Sequence, residues 1–117
     1  MLRTMLKSKI HRATITGVHL HYEGSLMIDE LLLKKADIMP GEKIEVFNLN
    51  NGSRFETYAI SGKKGSGAVC LHGPAARWGY VGDKVIIVSY ALIDNKKAVS
   101  LRPKIVYVDE RNRPKRK

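Results

Sequence analysis

The chain has 117 residues, of which 21 are Lys or Arg and 11 are Asp or Glu, giving a formal net charge of +10 at pH 7. This length suits one domain, residues 1–117, and is too short for two. No apolar run approaches the ~18 residues that a membrane-spanning helix needs. The single cysteine, Cys70, has no partner in the chain for a disulfide, which is typical of the reducing cytoplasm.

The positive charge is concentrated at the two ends of the chain. Residues 111–117 contain five basic residues and no acidic one, and residues 1–12 contain four and none, so the remainder is nearly neutral. We expect residues 109–117 to form a basic, flexible tail. Binding of RNA or another polyanion through these ends is the alternative function. Aromatic residues make up only 7% of the chain, which disfavours a platform for single-stranded nucleic acid.

Most of the chain consists of apolar and β-branched runs of strand length that are separated by turn residues. They predict strands over residues 5–15, 43–49, 54–60, 68–71, 84–93 and 104–108. The best helix lies over residues 29–36, where Asp29 can cap the first turn and Lys34 and Lys35 suit the negative end. Six or seven short strands with one or two short helices predict a mainly β fold that closes into a small barrel.

The first predicted strand carries two residues that could act in a site. Lys9 and His11 are two positions apart and therefore share a face, which alternation predicts to include Ala13 and Ile15. Lys9 could add a positive charge to an anion site, and His11 could orient a neighbour or move a proton. An ordinary solvated strand face is the alternative for both residues.

The pair Gly24-Ser25 offers a different chemistry. Because glycine has no Cβ, the peptide between these residues can adopt geometries that other residues resist. A serine hydroxyl beside a strained carbonyl can attack it and turn the amide into an ester. Elimination and hydrolysis of that ester would leave an N-terminal pyruvoyl group, a ketone that no side chain supplies. An ordinary turn is the alternative for this dipeptide.

The strand over residues 54–60 carries a second polar group. Alternation places Arg54 and Tyr58 on one face and Thr57 on the other, unless a bulge turns it. The planar guanidinium of arginine suits a carboxylate, and a tyrosine hydroxyl can donate a proton at neutral pH. An exposed arginine and a half-buried tyrosine in a plain hairpin are the alternative.

Two further features concern ligands. Residues 73–76 (GPAA) have almost no side-chain bulk and predict a tight loop, in which a ligand could contact backbone N–H groups directly. The four histidines and Cys70 show no close metal-binding motif such as CxxC or HExxH. We therefore predict no metal site.

Taken together, these stretches resemble the pyruvoyl-dependent aspartate 1-decarboxylase family. The resemblance lies, in family order, in residues 5–12 (MLKSKIHR), 21–25 (HYEGS), 51–58 (NGSRFETY), 73–76 (GPAA) and 81–87 (VGDKVII). It implies a double-psi β-barrel assembled as a homotetramer with active sites between subunits. It also implies self-cleavage into residues 1–24 and 25–117, for which some relatives need a maturation factor. The implied reaction converts L-aspartate to β-alanine and CO₂ for pantothenate and coenzyme A synthesis.

The resemblance also implies a role for each matching residue, with no metal and no pyridoxal phosphate. Ser25 becomes the pyruvoyl group and forms a Schiff base with substrate, and Tyr58 donates a proton. The residues implied to bind substrate are Lys9, Arg54, Thr57, Gly73, Pro74 and Ala75. Those implied to take part in self-processing are Gly24, Ser25, Thr57 and His11. The chain departs from the family pattern at His72 and Pro74, where relatives usually carry Asn and Ala.

Overall fold

The computed structural model describes residues 1–117 and contains nine strands, two α-helices and one 3-10 helix. The elements are β1 (Leu2–Thr14), β2 (Gly17–His19), β3 (Ser25–Asp29), α1 (Glu30–Ala36), β4 (Lys43–Asn48), β5 (Arg54–Gly62), β6 (Val69–His72), the 3-10 helix (Gly73–Trp78), β7 (Lys84–Asp94), α2 (Asn95–Ala98), β8 (Lys104–Val108) and β9 (Pro114–Lys115). The predicted mainly β fold with short helices is confirmed. Strands β2, β3 and β9 were not among the predicted ranges. None of the helices has the length and apolar character needed to cross a membrane.

The nine strands form one sheet in the order β2-β6-β3-β5-β4-β7-β1-β8-β9. Three neighbouring pairs are parallel, namely β1 with β8, β2 with β6 and β3 with β5, and the other five are antiparallel. This order places β3 between β6 and β5. The residues at the start of β3 therefore lie between two strands that can present side chains to them.

The core is formed by the inward side chains of the strands and of α1. Residues at 0% exposure within it are Ile10, Ala13, Ile15, Leu26, Ile28, Leu32, Ala36, Val46, Ala59, Val69 and Ile87. Helix α1 begins after Asp29 as predicted, because the Asp29 carboxylate accepts a hydrogen bond from the Leu31 N–H at 2.8 Å. The same carboxylate accepts hydrogen bonds from the N–H groups of Gly65 and Gly67. It thereby fixes the end of β3.

The predicted alternation along β1 is wrong beyond His11. Arg12 has φ +65°, and the register with β7 shifts between Ile10 and Ala13. Such a β-bulge adds one residue on one strand and reverses the faces that follow it. Ala13 and Ile15 therefore join Ile10 in the core, while Lys9 and His11 keep a partly exposed face.

The C-terminal residues differ from the flexible tail that we expected over residues 109–117. β9 pairs with β8, and Asn112 is 1% exposed. The Asn112 side chain donates hydrogen bonds to the carbonyls of Thr14 and Gly67 and accepts one from the Thr14 N–H. The buried side-chain amide of Asn112 therefore anchors residues 109–117. The basic composition of this segment does not reveal that anchor.

Candidate active site

Ser25 is the first residue of β3 and lies between β5 and β6. It stands opposite His72 in the antiparallel pair with β6. The parallel pair with β5 sets Leu26 beside Ala59, so Ser25 is level with Tyr58. Ser25 is 2% exposed. The residue is therefore almost completely buried between the two strands.

The Gly24–Ser25 peptide packs directly against the start of the 3-10 helix. Gly73 has φ +65°, and a Cβ placed there would lie 2.6 Å from the Gly24 Cα and 2.8 Å from the Gly24 nitrogen. A Cβ placed on Gly24 would lie 3.1 Å from Pro74 Cδ. Contacts this short to backbone atoms and the positive φ require glycine at position 73. A side chain at position 24 would require Pro74 to shift by a few tenths of an ångström. The predicted tight loop over residues 73–76 is instead the first turn of this 3-10 helix.

A cavity of about 300 Å³ opens beside this peptide. It is lined by Gly24, Ser25, Phe55, Glu56, Thr57, Tyr58, Pro74, Ala75 and Trp78. Six of the residues implied by the family resemblance therefore meet here, and Gly73 packs behind them. The volume is at the lower end of the range of small-molecule sites, which start at about 300 Å³. The cavity suits a compact substrate.

A second cavity of about 360 Å³ lies on the other side of Ser25. Its lining consists of Tyr22, Glu23, Ser25, Tyr58, Ile60 and His72. Ser25 and Tyr58 belong to both cavities. The residues that precede the Gly24–Ser25 peptide therefore have free space on one side.

Two of the implied site residues, Lys9 and His11, lie away from the cavity in one chain. Lys9 pairs with Val88 of β7, Val88 with Glu45 of β4, and Glu45 with Glu56 of β5. Three strand spacings amount to about 14 Å, so Lys9 is far from the Glu56 side of the cavity. His11 packs edge-on against Tyr107, with ring centroids 5.7 Å apart.

Arg54 is not among the residues that line the cavity, although it precedes Phe55, which does. Its guanidinium carbon lies 3.9 Å from the centroid of the Phe47 ring, a cation–π arrangement. Strand β5 is regular against β4, and Arg54, Glu56 and Tyr58 alternate as predicted. The exposed guanidinium therefore projects from the sheet at one end of the strand that carries Tyr58.

The aromatic wall of the cavity was not anticipated. Phe55 and Trp78 lie nearly parallel, with ring centroids 6.3 Å apart. Asn48, which is 4% exposed, donates hydrogen bonds to the Trp78 carbonyl at 3.1 Å and to Asp83 Oδ2 at 3.0 Å. This buried amide fixes the end of the 3-10 helix. The sequence signal for this contact is the position of Asn48, a polar residue on the inward face of a predicted strand.

His72 is the most unusual polar residue near Ser25. It is 3% exposed, and its Nε2 is buried without a hydrogen-bond partner. Its ring lies edge-on to those of His19 and Tyr22, at 5.3 and 4.9 Å. Burial, and secondarily the nearby His19, lowers the pKa of His72 below its ordinary value. The imidazole is therefore neutral at pH 7.

The two basic ends of the chain also meet, around a cavity of about 170 Å³. It is lined by His11, Arg12, Lys84, Tyr107, Val108, Glu110, Lys115 and Lys117. Glu110 pairs with Lys84 at 2.8 Å, and that hydrogen bond lowers the pKa of the Glu110 carboxyl. The alternative of a polyanion site would use this face, and none of its residues lines either cavity beside Ser25.

Comparison with known proteins defines the class. A family model described as aspartate decarboxylase matches residues 1–115. The chain belongs to this family, and the predicted enzyme class, a decarboxylase and hence a lyase, is confirmed.

Several curated relatives and one solved structure are similar to the chain. The aspartate 1-decarboxylase of Thermoanaerobacter pseudethanolicus is 54% identical over 97% of this chain and 97% of its own. That of Pelotomaculum thermopropionicum is 58% identical over 97% of this chain and 86% of its own. That of Syntrophus aciditrophicus is 54% identical over 98% of this chain and 99% of its own. The crystal structure of the rationally designed mkDPBB_sym_86 protein covers 72% of this chain and 95% of its own, with a TM-score of 0.47 and 14% identity.

Proposed function

We propose that this protein is a self-processing, pyruvoyl-dependent decarboxylase that converts L-aspartate to β-alanine and CO₂ for pantothenate synthesis. One observation carries the proposal: the Gly24–Ser25 peptide lines the same cavity as Thr57 and Tyr58. The curated relatives bear the name aspartate 1-decarboxylase. The chain has one cysteine and so cannot form an internal disulfide. This composition suits an enzyme of the reducing cytoplasm.

The first step is cleavage of the chain after Gly24. Ser25 Oγ attacks the Gly24 carbonyl carbon, the C–N bond breaks, and the amide becomes an ester with a free Ser25 amine. Elimination then expels the Gly24 carboxylate and leaves a dehydroalanine at residue 25. Its imine tautomer takes up one water and releases ammonia, giving the pyruvoyl group. The two fragments together are heavier than the intact chain by about 1 Da, the difference between water and ammonia.

The residues around Ser25 fit this step and its product. The close approach of Gly73 to Gly24 leaves the scissile peptide little freedom, which favours the attack geometry. Thr57 lines the cavity beside Ser25 and can donate a hydrogen bond to the carbonyl under attack. The pyruvoyl group would supply an electron sink for the electrons left when CO₂ departs. The small residues Pro74 and Ala75 leave space at that position.

Tyr58 is the proton donor of the proposed reaction. It lines both cavities that adjoin Ser25, and its phenolic O–H is a hydrogen-bond donor. Loss of CO₂ from substrate requires a proton at Cα, and a hydroxyl within this small cavity can deliver it. No other titratable hydroxyl lines the 300 Å³ cavity.

Binding of the retained carboxylate of aspartate falls to Arg54 and Lys9. A fixed guanidinium and ammonium hold one carboxylate and so determine which of the two departs. Within one chain Lys9 is three strands away from β5. We therefore propose the homotetramer of the family, in which a neighbouring subunit brings the missing charge to the cavity.

Denaturing mass spectrometry tests the proposal most directly. We expect two fragments that divide after Gly24, with a carbonyl on the larger one that reacts with a hydrazine probe. Ser25→Ala should remain one chain and release no CO₂ from L-aspartate. The wild type remaining intact both alone and after incubation with cell extract, which would supply any maturation factor, would overturn it. Binding of heparin by both proteins, without CO₂ release by either, would favour the polyanion-binding alternative.

A further inference from the structure

Three potential metal ligands meet beside Ser25, on strands β2 and β6. The parallel register sets Gly17 beside Cys70 and His19 beside His72. Residues two apart on a strand share a face, so Cys70, His19 and His72 point to the same side. The Cys70 sulfur and one ring nitrogen from each histidine all lie within 4.8 Å of one another.

His72 supplies the second observation. The residue is 3% exposed, and its Nε2 has no hydrogen-bond partner. Buried polar atoms are normally satisfied, and an unsatisfied one calls for a ligand, a water or an ion. The residue that carries this orphaned nitrogen belongs to the cluster with His19 and Cys70.

Gly17 keeps space open between the other two ligands. A Cβ at this position would lie 3.0 Å from Cys70 Sγ and 3.2 Å from His19 Nε2. Any other residue would therefore crowd both ligand atoms. The Tyr22 ring, stacked on His19 at 4.7 Å and edge-on to His72 at 4.9 Å, covers the cluster from a further side.

We propose that His19, Cys70 and His72 bind one zinc ion. Thiolate and imidazole are the ligands that zinc prefers, and three of them leave a fourth position for water. Ligand atoms around tetrahedral zinc are about 3.3–3.8 Å apart. The side chain of His19 is exposed and can rotate by the small amount that closes the site.

The site spans the position of the proposed cut. His19 precedes Gly24, whereas Cys70 and His72 follow it, and His72 stands opposite Ser25. If the chain is cleaved as proposed, one ion joins the two fragments; this consequence alone rests on the proposed function. Zinc binding itself requires only the folded chain.

Cobalt(II) titration of the untagged, chelator-treated full chain tests the proposal. Because the chain has one cysteine, a thiolate-to-cobalt absorption band reports on Cys70 alone. We expect one equivalent to bind, with the band removed by Zn²⁺. The isosteric variant Cys70→Ser should lose the band. His19→Ala, which replaces an exposed residue, should bind cobalt at least about tenfold more weakly.

His21→Ala is the matched control, since this exposed histidine lies two residues from His19 and outside the cluster. It should bind cobalt like the wild type. A wild type without the thiolate band, or His19→Ala with unchanged affinity, would overturn the proposal. Ser25→Ala should bind equally well as an uncut chain, so a failure of self-cleavage and a failure of metal binding give different results.

Discussion

Two regions of the molecule differ in whether their candidate site residues meet within one chain. Around β3, the Gly24–Ser25 peptide, Thr57, Tyr58 and the 3-10 helix share one cavity. Around β1, Lys9 and His11 lie on a face that this cavity does not reach. Under the proposed function, the first region holds the bond that is cut, whereas Lys9 would reach that site only from another subunit. Self-processing and substrate binding would then depend differently on assembly.

Replacing Tyr58, the proposed proton donor, should give the largest effect and should separate CO₂ release from self-cleavage. We expect Tyr58→Phe to lower kcat for CO₂ release by about 10²–10⁴-fold, while cleavage after Gly24 still occurs. Tyr90→Phe is the control, because both tyrosines lie on strands at similar exposure, 42% and 39%. Radiolabelled CO₂ release and intact mass measure the two activities. Loss of cleavage in Tyr58→Phe would show that CO₂ release and self-cleavage cannot be separated at this residue.

Mixing subunits tests whether the two regions meet across an interface. Lys9→Ala and Tyr58→Phe should each be nearly inactive alone. Co-expressed in equal amounts, they should recover about a quarter of wild-type activity, since a complete site takes its tyrosine from one variant and its lysine from the other. The readout is CO₂ release per mole of purified mixed oligomer. Activity no higher than the mean of the two parents would place both residues in one subunit's site.

The close packing of Gly73 on Gly24 predicts a smaller effect that is confined to the first region. Gly73→Ala should lower the free energy of unfolding by about 2–5 kcal/mol, from positive φ and from the clash together, and should slow cleavage. Gly52→Ala is the matched control, because Gly52 has φ +76° with nothing within 4 Å of its Cβ position. It should cost only about 1–2 kcal/mol. Equal urea midpoints for the two variants would remove the steric argument.

His11 gives the smallest effect, in the second region. Its pKa is lowered from the ordinary value of 6.5, first by burial and then by Lys9 and Arg12. Between the ordinary and the lowered pKa the unfolded chain binds a proton that the folded chain does not, so stability falls as the pH falls. His11→Gln should flatten this slope in urea denaturation. An NMR titration midpoint for His11 at or above 6.5 would contradict the prediction.

The sequence predicted elements with a clear apolar pattern or capping residue well, and it predicted the shortest strands and the bulge in β1 poorly. The strand over residues 104–108 and the helix capped by Asp29 agree with the structure, because their apolar patterns and capping residue act locally. β2 and β9 have three and two residues, too few for a pattern. The bulge at Arg12 arises from pairing with β7, which periodicity along one strand does not contain.

Some of the residues that line the candidate cavity were predictable, but its geometry was not. The resemblance pointed to Ser25, Thr57 and Tyr58, which line one cavity in the structure. The Phe55–Trp78 wall depends on contacts between distant segments, and its only local signal is the inward-facing Asn48 that bonds the Trp78 carbonyl. The prediction of no metal rested on the absence of a short motif. A sheet register that sets His19 beside His72 can assemble ligands that such a motif search overlooks.

The position of strand β1 in the sheet determines whether residues 1–24 would stay bound after a cut at Gly24. It lies inside the sheet, paired with β7 over most of its 13 residues and with β8 on its other edge. Residues 1–24 would thus remain as an interior strand of the folded protein, as in a split protein whose halves complement each other. The short fragment could leave only by unfolding the sheet. Exchange of an isotope-labelled 1–24 peptide into the cleaved protein should consequently be as slow as global unfolding.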